Sequence, residues 1–168
     1  MSAQAQEQAT ERAWNRVRDA ISRTPDAYPP LRPPAPETAL RAFEEDVEVR
    51  VPEALRTLWG LHEDAYDVRA EGMRWDFMDG HGFIGLDEAR QMCTMSTEPV
   101  HHGLPAGRWG RAWDPAWIPV TSRDGSTMYT SGYFVDPGGR VGSWNDDTLT
   151  ESVHPSLAHC LRHIADRM

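Results

Sequence analysis

A chain of 168 residues with a formal charge of -9 is long enough for one domain with its own core, and its excess of acids opposes phosphate backbones, so nucleic acid is an unfavoured direct ligand. The cysteines, Cys93 and Cys160, are too few for a disulfide framework and lack a metal-ligand spacing, so free thiols in a reducing compartment are expected. Met1 to Gln8 has neither a basic nor an apolar leader region, and nowhere do ~18 apolar residues run together; the chain reads as cytoplasmic, with no membrane contact.

Residues 1–9 are polar and read as a disordered tail, leaving 10–168 as one domain. Thr10 is placed to cap a helix in which Trp14, Val17 and Ile21 fall on one face. Pro25, Pro29, Pro30, Pro33, Pro34 and Pro36 fix φ and lack donors, which predicts an extended strap lying on the domain. Pro36 then opens a second helix with Leu40, Phe43 and Val47 inward and Glu44, Glu45 and Asp46 outward. Carboxylates near its end oppose the helix dipole, so it is expected to stop by Asp46. Val47, Val49 and Val51 alternate with charges as in a short connector. Pro52 opens the strongest helical signal, where Leu55, Leu58, Trp59 and His62 share a stripe; His62 reads as a hydrogen-bonded histidine at a helix end, not as a ligand.

Met73, Trp75 and Phe77 alternate with Arg74 and Asp76 as in a strand, and Asp79-Gly80 turns the chain back into 81–86. Asp87 is expected to cap a short helix carrying Ala89, Met92 and Cys93. Residues 94–112 have no period and form a candidate binding loop, with Trp109 and Trp113 anchoring it to the core. A meander follows: Ile118 to Val120, an Asp124-Gly125 turn, a strand from Thr130 to Val135, the turn Asp136-Pro137-Gly138-Gly139, and a strand from Arg140 to Trp144. After the turn Asn145-Asp146-Asp147, Leu149 to Val153 is extended. Pro155 starts a last helix whose Leu157, Cys160, Leu161 and Ile164 are expected to pack on the sheet. The fold class is therefore α+β: a largely antiparallel sheet from 73–86, 118–120, 130–135 and 140–144, covered by N-terminal and C-terminal helices. Phe43, Leu58, Trp59, Leu161 and Ile164 are expected in its core.

This order of a proline-rich lead, the helix at Pro52 to Trp59, the helix start at Leu86 to Ala89, the run Trp113 to Val120, the turn Val135 to Gly139 and the terminal helix at His154 to Leu157 resembles the SUKH superfamily. Within it the chain is similar to the branch named for the yeast Smi-one/Knr-four regulators, in register from Trp14 to Ile164. The resemblance implies a binding domain without cofactor: bacterial members act largely as immunity proteins against secreted toxins, often nucleases, and fungal members regulate cell-wall synthesis through protein contacts. One neighbourhood departs from the pattern. Where the family has glycines followed by Asp or Asn ahead of the strand ending in the Asp-Pro-Gly turn, this chain reads Ser126 to Gly132, so either Asp124-Gly125 is the displaced equivalent or the acid is missing.

Catalytic patterns are weak. Of the histidines, His101-His102 and the pair His159 and His163 are the sharpest metal candidates, but the latter stand at i, i+4 opposite the apolar stripe of their helix, without the glutamate of a zincin motif and without a recognisable third ligand, so a solvated face is expected for them. There is no nucleophile elbow, and the glycines from Gly80 to Gly85 lack the Lys-Ser/Thr of a P-loop. The chain is thus read as non-enzymatic, with no catalytic residue, metal or cofactor. Its expected contact surface comprises Glu63, Asp64, Tyr66, Asp67, Asp124, Tyr129, Asp146 and Asp147, acids and tyrosines that no helical stripe requires. They suit a basic protein partner, such as a nuclease toxin domain. A regulatory module for an endogenous protein and, less favoured, a metal-dependent enzyme are the alternatives.

Overall fold

A computed structural model describes residues 2–24, 28, 30–63, 80–97, 113–123, 131–145 and 148–168. The first helix, α1, is Ala3–Arg23 and starts well before Thr10, because Ser2 accepts a hydrogen bond from the Ala5 N–H and the alanines, glutamines and glutamate that follow are good helix formers. The segment read as a disordered tail is therefore the first part of this helix. Trp14 and Val17 are fully buried, as the stripe requires, and Thr10 is buried beside them instead of capping.

Residues 30–35 run extended against the next helices: the Ala35 N–H bonds to the Trp59 carbonyl at 2.9 Å and the Glu63 N–H to the Pro33 carbonyl at 3.1 Å. This part of the proline strap thus pairs with its neighbour, while Pro25 and Pro29 lie outside the described residues. Helix α2 is Glu37–Val47, α3 is Glu53–Leu61, and both follow a proline that serves as N-cap. α2 ends at Glu48, whose left-handed φ of 55° breaks the helix just past the expected stop. His62 caps the end of α3, its Nδ1 at 2.9 Å from the Arg32 carbonyl and its ring 5.9 Å from Trp14.

Strand β1 is short, Gly82–Phe83, and the helix α4 that follows, Leu86–Thr97, begins one residue before Asp87, which therefore lies in the first turn and is not the cap. The loop expected over 94–112 starts later than the sequence suggests, because α4 continues through 94–97; its remainder, 98–112, with Trp109 and His101-His102, lies outside the described residues, as do the expected strand at Met73 to Phe77 and the Asp124-Gly125 turn. Strands β2 (Ile118–Ser122), β3 (Gly132–Val135), β4 (Val141–Trp144) and β5 (Leu149–His154) complete an antiparallel sheet in the order β1-β2-β3-β4-β5. The architecture is α+β, as the sequence predicts. β5 is a full edge strand that the expected sheet did not include. Pro119, which has no N–H for a ladder, sits where the β2–β3 register shifts, the kind of irregularity that tolerates proline inside a sheet.

The Asp136 turn is held from within: its Oδ1 accepts the Arg140 N–H at 2.8 Å and its Oδ2 the Arg140 Nε–H at 2.7 Å, and it is almost fully buried. Trp113 anchors to the core as expected, meeting Trp117, Phe134 and Trp144 edge-on, while Trp117 stacks on Phe134 at 4.3 Å. The last helix, α5, is Leu157–Arg167, and its cap is Ser156, not Pro155. Its stripe packs mainly on α1, with little contact to the sheet, because Ala13, Trp14, Val17 and Ala20 offer a complementary apolar face; Arg16 and Asp166 close the rim at 2.6 Å. One apolar cluster runs from Ala13 to Ile164 and includes Phe43, Leu58, Trp59 and Leu161. Among the described residues no helix is long and apolar enough to cross a membrane.

Candidate partner-binding surface

The sheet register brings Gly82, Ser122, Gly132, Trp144 and Leu149 side by side at one end of the sheet. Connections 124–130 and 146–147 leave from this end, and the chain enters β1 here after 64–79. The described residues around these exits are tied together. His81 Nε2 lies 2.7 Å from Ser131 Oγ, the Arg123 N–H donates to the Ser131 carbonyl at 3.1 Å, and the His81 ring meets Tyr133 edge-on. Asn145 closes its turn in both directions, its N–H to the Thr148 carbonyl and its Oδ1 from the Thr148 N–H. A sheet end fixed in this way is a rigid base.

Of the eight predicted contact residues, Glu63 is described; Asp64, Tyr66, Asp67, Asp124, Tyr129, Asp146 and Asp147 lie outside the described residues. Glu63 has a structural task that its place after α3 did not reveal. Its carboxylate accepts the Leu86 backbone N–H at the start of α4, where the helix dipole favours an anion. Burial, then the nearby Asp87, and less strongly Glu88, push its carboxyl above the ordinary range, with Arg32 opposing them.

A second charged feature lies between α2 and α3, an open groove of about 490 Å³ lined by Glu37, Arg41, Glu44, Glu48, Val49, Arg50 and Arg56. Arg56 grips both oxygens of Glu37 at 2.9 and 3.0 Å and Glu44 at 2.6 Å, and Glu44 also accepts the Val51 N–H at 2.8 Å. Burial would raise the Glu44 carboxyl, but the Arg56 and Val51 hydrogen bonds and the charges of Arg56 and Arg50 outweigh it and hold it low. Glu44 is therefore turned into a tertiary pair and does not simply face water. Glu37-Arg41 is the part of this network that helical spacing shows; the links to Arg56 need the fold.

His159 and His163 are exposed, as expected. The fold nevertheless adds a third imidazole. His154, at the end of β5, brings its Nδ1 to 3.2 Å from His159 Nδ1, and its ring centroid stands 5.4 Å from those of both helix histidines. Sequence spacing hid this because His154 belongs to a strand. The thiols offer no nucleophile: Cys93 and Cys160 are buried, and burial pushes Cys93 up to about 12.

The profile of the SMI1 / KNR4 family (SUKH-1) matches residues 34–163. No curated protein matches the chain. The matched span holds the whole sheet and helices α2 to α4, with most of α5, and the α1 helix ahead of it packs on α3 and α5 within that span. The chain belongs to the SMI1 / KNR4 family (SUKH-1).

Proposed function

We propose that this chain is a non-enzymatic binding domain of the immunity type, which neutralises one cognate toxin by covering a basic surface of it. The observation that carries the reading is that β2, β3, β4 and β5 meet at one sheet end where the connections holding Asp124, Tyr129, Asp146 and Asp147 begin and end. Family membership supports a protein partner, and the charge of -9 supports a basic one, such as a nuclease whose own substrate site is positive. A partner of this kind is steered by charge. Its association rate should fall steeply with salt, while dissociation changes less.

The experiment is a pull-down from the source cells with the products of adjacent reading frames as baits, followed by binding kinetics. Because Glu63 is committed to α4, the informative variants are Asp146→Asn/Asp147→Asn and Asp64→Asn/Asp67→Asn. Slower association of both at low salt supports the surface. Association at the wild-type rate would leave these acids as solubilising charge and remove the assignment, and recovery of a resident housekeeping protein in place of a toxin would replace immunity by regulation.

A further inference from the structure

The three imidazoles where β5 meets α5 have a geometry that the binding function does not use. His154 ends an edge strand paired to Val141, and His159 is fixed near the helix start, where its N–H bonds to Ser156 Oγ at 3.2 Å. Both backbone positions are therefore set by the fold. Their Nδ1 atoms stand 3.2 Å apart. A tetrahedral Zn²⁺ with bonds of ~2.0–2.1 Å holds two nitrogen ligands about 3.3 Å apart, so the separation matches the bite of such an ion. In the metal-free protein the same distance is bridged by a proton on one of the two nitrogens; on metal binding that proton moves to the ring's Nε2 or to solvent.

We propose that His154, His159 and His163 form a site for one divalent transition-metal ion, Zn²⁺ foremost, that clips the end of β5 to the exposed face of α5. As the side chains stand, no three donors among the described residues already converge on one point. The nearest pair, the Nδ1 atoms of His154 and His159, is within hydrogen-bond distance, and the site forms when the three neighbouring rings turn toward one point. His163 lies one helical turn beyond His159, its ring centroid is 5.4 Å from that of His154, and its side chain is exposed, so the ring turns inward without disturbing the stripe of Leu157, Cys160, Leu161 and Ile164. Three imidazoles select Zn²⁺, Ni²⁺ or Cu²⁺ over the oxygen-seeking Mg²⁺ and Ca²⁺, and water completes the coordination. The site binds to an already folded protein, so metal adds stability in proportion to its occupancy.

The test is calorimetric titration of the metal-free full chain with ZnCl₂, with Co²⁺ absorption as a report of coordination number. The expected result is one ion per chain, tetrahedral Co²⁺ bands, a rise in Tm with added Zn²⁺, and binding that weakens in acid, where protons compete with the metal for the nitrogens. His159→Ala and His163→Ala should each weaken binding by at least the ~10-fold that loss of even an outer-shell partner costs, while leaving the metal-free Tm at the wild-type value. His154 is half-buried, and should His154→Ala unfold, imidazole nitrogen NMR replaces it: Zn²⁺ must shift Nδ1 of His154 and His159. The proposal is overturned by the absence of saturable binding, by wild-type affinity in His159→Ala or His163→Ala, or by loss of binding in a His101→Ala/His102→Ala control.

Discussion

Replacing Trp59 tests the architecture where its parts meet. The ring is fully buried on α3, contacts Phe43 of α2 edge-on at 5.5 Å, and donates its indole N–H to the Ile84 carbonyl, just past β1, at 3.2 Å. Trp59→Ala removes that area and leaves a cavity, a change that costs ~3–5 kcal/mol in other cores. The Ile84 carbonyl also loses its indole donor, which adds ~1–3 kcal/mol unless water replaces it. Against a total stability of ~5–15 kcal/mol for a domain of ordinary size, the variant should be close to unfolding at room temperature. Trp59→Phe keeps an aromatic ring against Phe43 and loses the N–H, so about 1–3 kcal/mol is expected. Urea unfolding followed by far-UV circular dichroism separates the cases through the midpoint at constant slope. A loss below about 1 kcal/mol in Trp59→Ala would mean that α2, α3 and β1 do not close over this ring. Equal losses in the two variants would mean that the hydrogen bond, not the buried area, sets the energy.

Two glycines should respond with opposite signs in calorimetry. A Cβ on Gly132 meets the Thr121 carbonyl oxygen and the Trp144 ring, so Gly132→Ala should cost at least ~1–3 kcal/mol, whereas Gly60, in α3 with nothing within 4 Å of its would-be Cβ, should gain ~0.5–1 kcal/mol as Ala. The two engaged carboxylates should also differ in sign with pH. Glu63 is raised in the folded state, so its contribution is present in acid and lost as pH rises through its folded value; Glu63→Gln should be more stable than wild type at neutral pH, with the gap closing in acid. Glu44 is lowered, so its contribution is present above the unfolded carboxyl value and lost as pH falls through the folded one; Glu44→Gln should melt lower at neutral pH and converge with wild type in acid. A thiol reagent at mild alkaline pH should titrate Cys93 and Cys160 in denaturant and leave both unreacted in the native protein, since burial keeps Cys93 protonated. Chelator-stripped protein should retain its circular dichroism and melt cooperatively, because its core is a continuous apolar cluster.

The sequence by itself determined what local periodicity and turn chemistry can encode. The stripe of Leu55, Leu58 and Trp59, the proline-fixed starts of α2 and α3, and the strands on either side of the Asp136 turn lie where the pattern put them, since each is decided within a few residues. Helix propensity in residues 3–9 was present too, but a polar segment without an apolar stripe gives no sign that Ser2 will cap it. Only the tertiary structure decided which apolar face meets which, so α5 lies on α1 where the sheet was expected. It alone gave Glu44 to Arg56, Glu63 to the start of α4, and His154 to the helix histidines, because each pair joins residues from different elements. A charge or an imidazole carries no period of its own. Its partner is chosen by how the apolar faces bring the backbone together.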